Sequence, residues 1–337
     1  MNGDMQLVRS HDPGSFNLAV GEPFFLQEQL SFAQAIAPEG PFLYPHTRGE
    51  PELLKELERR HHGMHVVVTN GAKQAISAAL AAYAEVYGRD WAHHTTPYWP
   101  SYPILAKKEL QYGLNFPQGI SMGGPNATEP PAVRIVTSPN NPDGQESDKD
   151  CDIWDAAYAS PVYGFTTPPA HWTVAIYSAA KMLGLSGLRV GWAVTADARL
   201  AEAMTTYVER YSSGVCVTSQ RHIAHVLRHL RIHDDHVFFD VARKTLLANG
   251  ETFKKLMGDH VALYDGVPAT GRGMFAWFQV REAEKESFDK ALEATKVRLV
   301  TGQACGEVGN LWYRVSCGHH QHFTEQALEA LTRAWKV

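Results

Sequence analysis

One segment near the middle of the chain combines side chains that could act together on a carbonyl compound and an anion. Ser178 is followed three residues later by Lys181, and Arg189 comes eight residues after the lysine. Glycines that allow close backbone approach lie among them, at positions 184, 187 and 191. A lysine amine that attacks a carbonyl group must be held and partly desolvated, and a neighbouring phosphate needs hydroxyl and guanidinium donors. The segment therefore predicts covalent lysine chemistry beside a bound phosphate, although Ser-x-x-Lys alone also fits a surface lysine.

A second group of candidates lies where a predicted strand gives way to a turn. Gly71, Ala72 and Lys73 follow the β-branched run 65–69 and open an alanine-rich segment. The first amides of a helix lack partners within the helix and lie at the positive end of its dipole, so this turn could bind an anion. A plain helix start fits the same residues.

Three further segments contribute aromatic, amide and carboxylate groups. Trp99 lies among three prolines, which favour a rigid loop over a helix. Asn141 begins an Asn-Pro turn. Asp155 and Tyr158 follow the short apolar run 152–154. Each signal alone also has a structural explanation, because aromatic core packing, Asn-Pro turns and aspartate helix caps are common.

The elements that must position these residues alternate between strand and helix. Apolar runs bounded by Gly, Pro, Asn or Asp predict strands, and the composition of residues 72–87 predicts a helix. The strand runs lie at 65–69, 133–137, 152–154, 173–177 and 188–194. Near-continuous apolar strands of this kind suit a sheet that is covered on both faces by helices.

The rest of the chain predicts a second, smaller layer. From Ala198 to about Met257 apolar residues recur three and four positions apart, which predicts helices. The remainder predicts strands at 261–264, 274–280, 297–300 and 311–316 and helices at 284–294 and 324–335. We therefore predict a large α/β domain over residues 40–235 and a small α+β domain built from residues 1–39 and 236–337.

Composition narrows the classes of partner. The chain has 337 residues, a formal net charge of -5 and four cysteines without metal-type spacing. Unpaired cysteines and the lack of a signal or transit peptide predict a cytoplasmic location. The negative charge argues against nucleic acid as the main partner, and no apolar run is long enough to predict a membrane span. Adjacent histidine pairs do not point at one site, so no metal is predicted.

Together these segments resemble the fold type I family of pyridoxal phosphate enzymes, the aspartate aminotransferase group, from about Asn17 to Arg314. Five segments follow one another along the chain in the family's order. They are the glycine turn at 71–73, the aromatic loop around Trp99, the Asn-Pro turn at Asn141, the Asp-x-x-Tyr pair at 155–158 and the string 178–192. The resemblance implies an α/β fold, a three-layer αβα large domain with a mostly parallel seven-stranded sheet and a small α+β domain.

The resemblance also implies a role for each candidate toward pyridoxal 5′-phosphate. Lys181 would form the internal aldimine and act as the base at the substrate Cα. Asp155 would pair with the pyridine nitrogen, Asn141 and Tyr158 would contact the phenolic oxygen, and Trp99 would stack on the ring. The residues that would hold the phosphate are Gly71, Ala72, Lys73, Ser178 and Arg189.

Further segments would complete the substrate side of the site. Arg314 resembles the family arginine that grips the α-carboxylate, and a planar guanidinium suits a carboxylate. Gly21, in a Gly-Glu-Pro segment, and Asn141 would lie beside the substrate. Tyr44 would reach the phosphate of a neighbouring subunit, which implies a homodimer with shared active sites.

The predicted activity is transfer of an amino group between an amino acid and a 2-oxo acid. Aromatic residues near the site, Trp99, Tyr98 and Trp312, favour a hydrophobic or aromatic substrate. Only ten residues separate Gly144 from Asp155, where aminotransferases usually insert a helix. This shortened crossover, the Asn-Asn-Pro-Asp-Gly turn and the Gly-x-Arg-x-Gly-Trp ending resemble the alliinase and plant tryptophan aminotransferase branch. Ala180 stands where many relatives carry serine.

Two other interpretations of the function are compatible with the sequence. The same lysine chemistry serves β-elimination, as in a C–S lyase, and decarboxylation of a non-standard amino acid. A regulator or inactive scaffold is a further alternative, but the N-terminal segment has no basic cluster and the full set of candidate residues is present.

Overall fold

The fold is taken from a computed structural model that describes residues 14–27, 29–30, 43–89, 91–94, 96–105, 119–121, 132–233, 235–264 and 272–335. Every candidate residue named above lies within these ranges.

Seven strands of the described residues form one large sheet, in the order β2-β8-β7-β6-β5-β3-β4. They are β2 (His65–Thr69), β3 (Trp91–His93), β4 (Gly119–Ser121), β5 (Val133–Thr137), β6 (Ile153–Asp155), β7 (Val174–Ser178) and β8 (Gly191–Thr195). β8 runs antiparallel to both neighbours and the other pairs are parallel. The predicted mostly parallel seven-stranded sheet is confirmed.

Alternating side chains divide the strands between two cores, which explains the three layers. Val67 and Ala193 face one core, whereas Val66 and Trp192 face the other. Side chains of a strand alternate between faces, so a strand that is apolar throughout must be covered on both sides. The α-helices of the described residues are α1 (Phe24–Gln27), α2 (Pro51–Arg60), α3 (Gly71–Tyr87), α4 (Tyr102–Leu105), α5 (Ala179–Met182), α6 (Ala198–Ser212), α7 (Val217–Ile232), α8 (Asp235–Met257), α9 (Lys285–Thr295) and α10 (Gln321–Trp335). α3 and α6 pack together on the first face.

The connection between β5 and β6 is a compact loop without a helix. Residues 138–152 turn back at Asn140, whose amide and carbonyl bond to Gln145 and Gly144, and β6 then pairs parallel to β5. The Trp154 indole donates to the carbonyl oxygen of Ser138 at 3.0 Å and closes the loop over the strand ends. This confirms the shortened crossover between Gly144 and Asp155.

A second sheet of four antiparallel strands lies in the C-terminal part, in the order β12-β13-β10-β9. These strands are β9 (Val261–Leu263), β10 (Phe275–Val280), β12 (Val300–Thr301) and β13 (Trp312–Ser316). The N-terminal strand β1 (Phe16–Asn17) pairs parallel to β11 (Val297–Arg298). Residues 16–17 thus pair with a strand of the C-terminal part, while the domain boundaries near residues 40 and 235 remain a prediction.

The structure corrects one predicted strand start. The run 188–194 was expected to be extended throughout, but β8 begins at Gly191. Leu188 ends a short 3-10 turn, and Arg189 adopts a left-handed conformation with φ 54°. The polypeptide must turn there before it can enter the sheet. Over the described residues, no helix is long and apolar enough to cross a membrane.

Candidate active site

The candidate residues gather where three neighbouring strands of the large sheet end. Thr137, Asp155 and Ser178 are the last residues of β5, β6 and β7. Ligands of open α/β sheets bind outside the carboxyl ends of such strands. The sheet therefore places these three side chains along one edge, and Lys181 follows directly in α5.

Lys181 is held by the N-terminal segment of the chain. Its Nζ donates a short hydrogen bond to the carbonyl oxygen of Gly21, and its own carbonyl oxygen accepts from the Tyr163 hydroxyl at 2.7 Å. The segment packs closely on Gly184, where a Cβ would lie 2.9 Å from the Cβ of Leu26. Gly184 also has φ +72°, which glycine adopts readily. This glycine therefore lets residues 21–27 lie over the lysine.

Burial of Lys181 favours its neutral amine. Burial is the largest cause that lowers the pKa of Lys181, to about 8, and the negative charge of Glu22 opposes it. Arg314 and Arg189 lower the pKa further, whereas Asp155 raises it. A lysine with this pKa carries a substantial neutral fraction near physiological pH. It can attack a carbonyl group or accept a proton.

Asp155 is buried at one side of the site. Its Oδ2 accepts the hydroxyl of Tyr102 at 2.8 Å, and its Oδ1 accepts the backbone amide of Ala157 at 3.2 Å. Burial raises the pKa of Asp155, and these two hydrogen bonds and the charge of Lys181 oppose that rise. Within the described residues, no arginine or lysine forms a close ion pair with this carboxylate. A buried carboxylate of this kind suits a cationic ligand nitrogen.

Asn141 connects two other candidates. Its Nδ2 donates to the Tyr158 hydroxyl at 3.4 Å, and its Oδ1 accepts Nη1 of Arg314 at 2.7 Å. Tyr158 is buried, which raises its pKa, so its hydroxyl stays protonated and can donate a hydrogen bond. The structure thus joins three residues that lie far apart in sequence into one hydrogen-bonded set.

The guanidinium of Arg314 is buried, with one donor unused. Nη2 donates to the carbonyl oxygen of Ala19 at 2.6 Å, and the group lies 4.1 Å from the ring centre of Phe275. Nε is buried and has no partner. Burial lowers the pKa of Arg314, yet an arginine remains charged at physiological pH. A buried cation with an unsatisfied donor is a fitting site for a carboxylate.

A second corner of the site is built on glycine. At Gly71, which has φ +77°, a Cβ would lie 2.8 Å from Nη2 of Arg189, and at Gly191 it would lie 2.6 Å from the backbone of Gly71. The Arg189 guanidinium therefore lies against the first turn of α3, which contains no acidic residue. We call Gly71, Gly191 and Arg189 the glycine corner. Its helix amides and exposed cation together suit a phosphate.

The loop around Trp99 lies next to Asp155 and to the first turn of α3. Trp99 is half-buried and meets the ring of Tyr102 edge-on, with ring centres 5.4 Å apart. Nζ of Lys73 lies 5.4 Å from the Trp99 ring centre. Ala72 and Ser178 lie beside these elements, in the first turn of α3 and at the end of β7. Trp99 is thus supported from the Asp155 side and contacted by a cation from the α3 side.

Tyr44 does not join the other candidates. Its side chain is 89% exposed and that of Leu43 is 73% exposed. Within the described residues, the Tyr44 side chain therefore lies at the surface and away from the Lys181 site.

Three residues that contact the site through Asp155 were not among the predicted site residues. Tyr102, Thr137 and His94 lie on three different segments of the chain. Their hydrogen bonds converge in the folded chain: the Thr137 hydroxyl lies 2.7 Å from that of Tyr102 and 3.1 Å from Nε2 of His94. We call His94, Thr137, Tyr102 and Asp155 the acidic corner. The sequence signals for them were weak, since Thr137 only ends a predicted strand and Tyr102 only follows Trp99 by three positions.

Comparison with known proteins identifies the family. The sequence model of the alliinase family, described as Allinase, matches residues 58–335. The chain belongs to the alliinase family. Among similar proteins, tryptophan aminotransferase-related protein 2 of Arabidopsis thaliana is 35% identical over 198 residues, which are 53% of this chain and 44% of that protein. Alliin lyase of Allium cepa var. aggregatum is 26% identical over 136 residues, 39% of this chain and 30% of the lyase. The alignments thus span less than half of these relatives.

The fold has solved counterparts. The structure of a Thermus thermophilus aspartate aminotransferase tetra mutant complexed with tryptophan superposes with a TM-score of 0.74 at 20% identity, covering 99% of this chain and 95% of that chain. The predicted fold type I architecture is confirmed. Alliinase and aspartate aminotransferase-fold relatives depend on pyridoxal phosphate, so the predicted cofactor is the one that the family uses. The chain therefore shares its family with alliin lyase and its fold with aspartate aminotransferase.

The residues of this alliinase-family chain fit that cofactor. The glycine corner offers helix amides and a guanidinium to a phosphate, and Gly71 and Gly191 leave no room for a side chain there. Asp155 is a buried carboxylate suited to a ring nitrogen, and the Tyr158 hydroxyl and Asn141 amide are donors for a ring oxygen. Lys181 supplies an amine with a lowered pKa.

Proposed function

We propose that this alliinase-family chain is a pyridoxal phosphate-dependent aminotransferase that moves an amino group between an amino acid and a 2-oxo acid. The observation that carries the proposal is the link between the buried Arg314, Asn141 and Tyr158, within reach of the charge of Lys181. It combines a carboxylate-binding cation, donors for a ring oxygen and a lysine base. Transamination requires all three.

The cofactor would be held between the glycine corner and Asp155, with further contacts from neighbouring residues. Arg189, Ser178 and the amides of Gly71, Ala72 and Lys73 would bind its phosphate, Asp155 its ring nitrogen, and Asn141 and Tyr158 its ring oxygen. Trp99 would cover the ring. When bound, the cofactor supplies an electron sink for the negative charge that develops at the substrate Cα.

Lys181 would attach the cofactor at rest and take the proton from the substrate Cα during turnover. A general base works best with a pKa near the operating pH, and burial brings the pKa of Lys181 to about 8. The carbonyl oxygen of Gly21 accepts a hydrogen bond from Nζ and so orients the amine.

Arg314 would bind the α-carboxylate of the substrate. Its two terminal nitrogens are fixed by Asn141 and Ala19, so the guanidinium plane is oriented before the substrate arrives. Orientation of this kind lowers the entropy that binding must remove. Gly21 would lie on the substrate side, because its carbonyl already contacts Lys181.

The substrate and assembly are further parts of the proposal. Trp99, Tyr98 and Trp312 favour a hydrophobic or aromatic amino acid, in agreement with the relative named for tryptophan. The exposed Leu43 and Tyr44 support a homodimer in which Tyr44 reaches the phosphate of the neighbouring subunit. The cytoplasmic location stays a prediction.

The alternative is a lyase. The similarity to alliin lyase favours β-elimination as the second candidate, since both reactions begin with a negative charge at Cα. Purified protein loaded with pyridoxal phosphate should be incubated with single amino acids, with and without a 2-oxo acid acceptor. The proposal expects a new amino acid to form from the acceptor. Pyruvate and ammonia, or carbon dioxide, without acceptor consumption would instead establish a lyase or a decarboxylase.

A further inference from the structure

The acidic corner contains a continuous chain of buried hydrogen bonds. Nε2 of His94 lies 3.1 Å from the Thr137 hydroxyl, which lies 2.7 Å from the Tyr102 hydroxyl. The Tyr102 hydroxyl donates to Oδ2 of Asp155 at 2.8 Å. All four side chains are at most 5% exposed, so bulk water cannot replace any of these bonds.

Counting protons gives this chain a direction. A hydroxyl has one proton, and the Tyr102 hydroxyl uses its proton in the hydrogen bond that it donates to Asp155. The proton between Thr137 and Tyr102 must then come from Thr137. Because Thr137 has no second proton, the bond to His94 must be donated by Nε2 of the imidazole. Every donor in the chain therefore points toward the carboxylate of Asp155.

Donors that all point toward the carboxylate stabilise its ionised form, because a hydrogen bond to a charged acceptor is stronger than one to a neutral acceptor. A protonated carboxyl group can donate to Tyr102 and so permits the opposite direction, which would require the other form of the His94 ring. Hydrogen bonds in a dry interior polarise one another. The hydrogen-bond chain therefore lowers the pKa of Asp155, against the effect of burial, which raises it.

We propose that His94, Thr137 and Tyr102 are positioning residues that hold the buried Asp155 in its anionic form, ready for a protonated ring nitrogen. The inference rests on the proposed function only in assigning Asp155 to the cofactor ring. The other titratable groups that act on Asp155 are Lys181, whose charge also favours the anion, and Tyr158, a neutral buried phenol, while the Ala157 amide donates to Oδ1. Neither Lys181 nor Tyr158 belongs to the hydrogen-bond chain, so substitutions in that chain can be tested without removing the effects of these two residues.

The chain offers matched substitutions for a test. Thr137→Val removes the middle hydroxyl with little change in shape, whereas Thr137→Ser keeps it. Tyr102→Phe removes the final donor. Tyr83→Phe is the control for loss of a buried tyrosine hydroxyl, because Tyr83 donates to the carbonyl oxygen of Asp152 and lies outside the chain.

The measurement is an infrared pH titration of the cofactor-free protein. The carbonyl stretch of a protonated carboxylic acid is resolved from that of a carboxylate, and subtraction of the same spectra from Asp155→Asn versions of each variant assigns the Asp155 band. Tyr102→Phe and Thr137→Val should each raise the titration midpoint of Asp155 by about one to two pH units, the effect of weakening one hydrogen bond to a charged group. Thr137→Ser and Tyr83→Phe should titrate as the unsubstituted protein does.

The inference is overturned if Tyr102→Phe and Thr137→Val leave the midpoint unchanged, or if Thr137→Ser shifts it as much as Thr137→Val does. The second result would show that packing, not the hydroxyl, matters. The readout needs neither cofactor nor turnover. A protein that titrates as expected but forms no amino acid would refute the proposed transamination alone, and an active protein with unshifted variants would refute only the role of the chain.

Discussion

The acidic corner and the glycine corner are opposite solutions to binding a charged group. The acidic corner is dry, and its carboxylate accepts the hydroxyl of Tyr102, which is linked through Thr137 to His94. The glycine corner is open, its Arg189 is exposed, and it relies on backbone amides and one cation. Burial strengthens the electrostatic interactions of Asp155, so a change in its protonation state has a large effect on the free energy of the site. Water screens the charge of Arg189. We therefore expect the acidic corner to control reactivity and the glycine corner to control affinity.

Asp155→Asn is the strongest test of this division. Removing the buried charge should lower kcat by at least about 10²-fold, because fixed charges in dry sites contribute this much to catalysis, while the phosphate contacts remain. Steady-state kinetics and equilibrium dialysis of the cofactor measure the two effects. The exposed Asp148→Asn is the control. A variant that loses cofactor binding but keeps kcat at saturation would contradict the division.

Arg189→Gln should show the reverse pattern. The loss of one charge-assisted hydrogen bond should weaken cofactor binding by about 10-fold or more, with kcat at saturating cofactor close to that of the unsubstituted protein. Binding should also depend less on salt, because an exposed charge is screened. Arg210→Gln, an exposed arginine in α6, provides the comparison. Equal salt dependence of Arg189→Gln and the parent protein would count against an exposed electrostatic contact.

Lys181 lies between the two corners and reports the charge of both. In the cofactor-free protein its amine should become reactive toward an acylating reagent with a midpoint near pH 8, since burial lowers its pKa to about 8. Protonation protects the amine, so reactivity rises with pH through that pKa. Asp155→Asn should move the midpoint down and Arg189→Gln should move it up, because the first residue raises and the second lowers this pKa. Mass spectrometry of the labelled peptide measures it, and shifts in the same direction would contradict the assigned charges.

The smallest effect is expected where a hydroxyl is absent. Ala180 precedes Lys181 at a position where a serine could contact the phosphate, so Ala180→Ser should tighten cofactor binding by no more than about 5-fold, the value of one neutral hydrogen bond. Equilibrium dialysis beside the parent protein is sufficient. Weaker binding would mean that the hydroxyl is buried without a partner, and that Ala180 does not face the phosphate.

Much of the architecture could be predicted because its signals are local. The β-branched run 65–69 and the alanine-rich segment that follows it became β2 and α3 with nearly the expected bounds. The short Gly144–Asp155 connection also predicted the missing helix. The strand start at Leu188 was wrong because a 3-10 turn ends at Leu188 and Arg189 follows it in a left-handed conformation, and that turn brings the Arg189 side chain to Gly71, more than one hundred positions away.

The sequence by itself determined the lysine, the carboxylate, the glycine turn and the arginine as candidates, because their chemistry is set by residue type and spacing. Only the tertiary structure decided which of them meet. It placed Gly21 on Lys181, Asn141 between Tyr158 and Arg314, and three segments around Asp155. The physical reason is that burial and hydrogen bonding are properties of space, not of sequence distance. Side chains as ordinary as Thr137 and His94 acquire a defined proton direction only when folding removes water from around them.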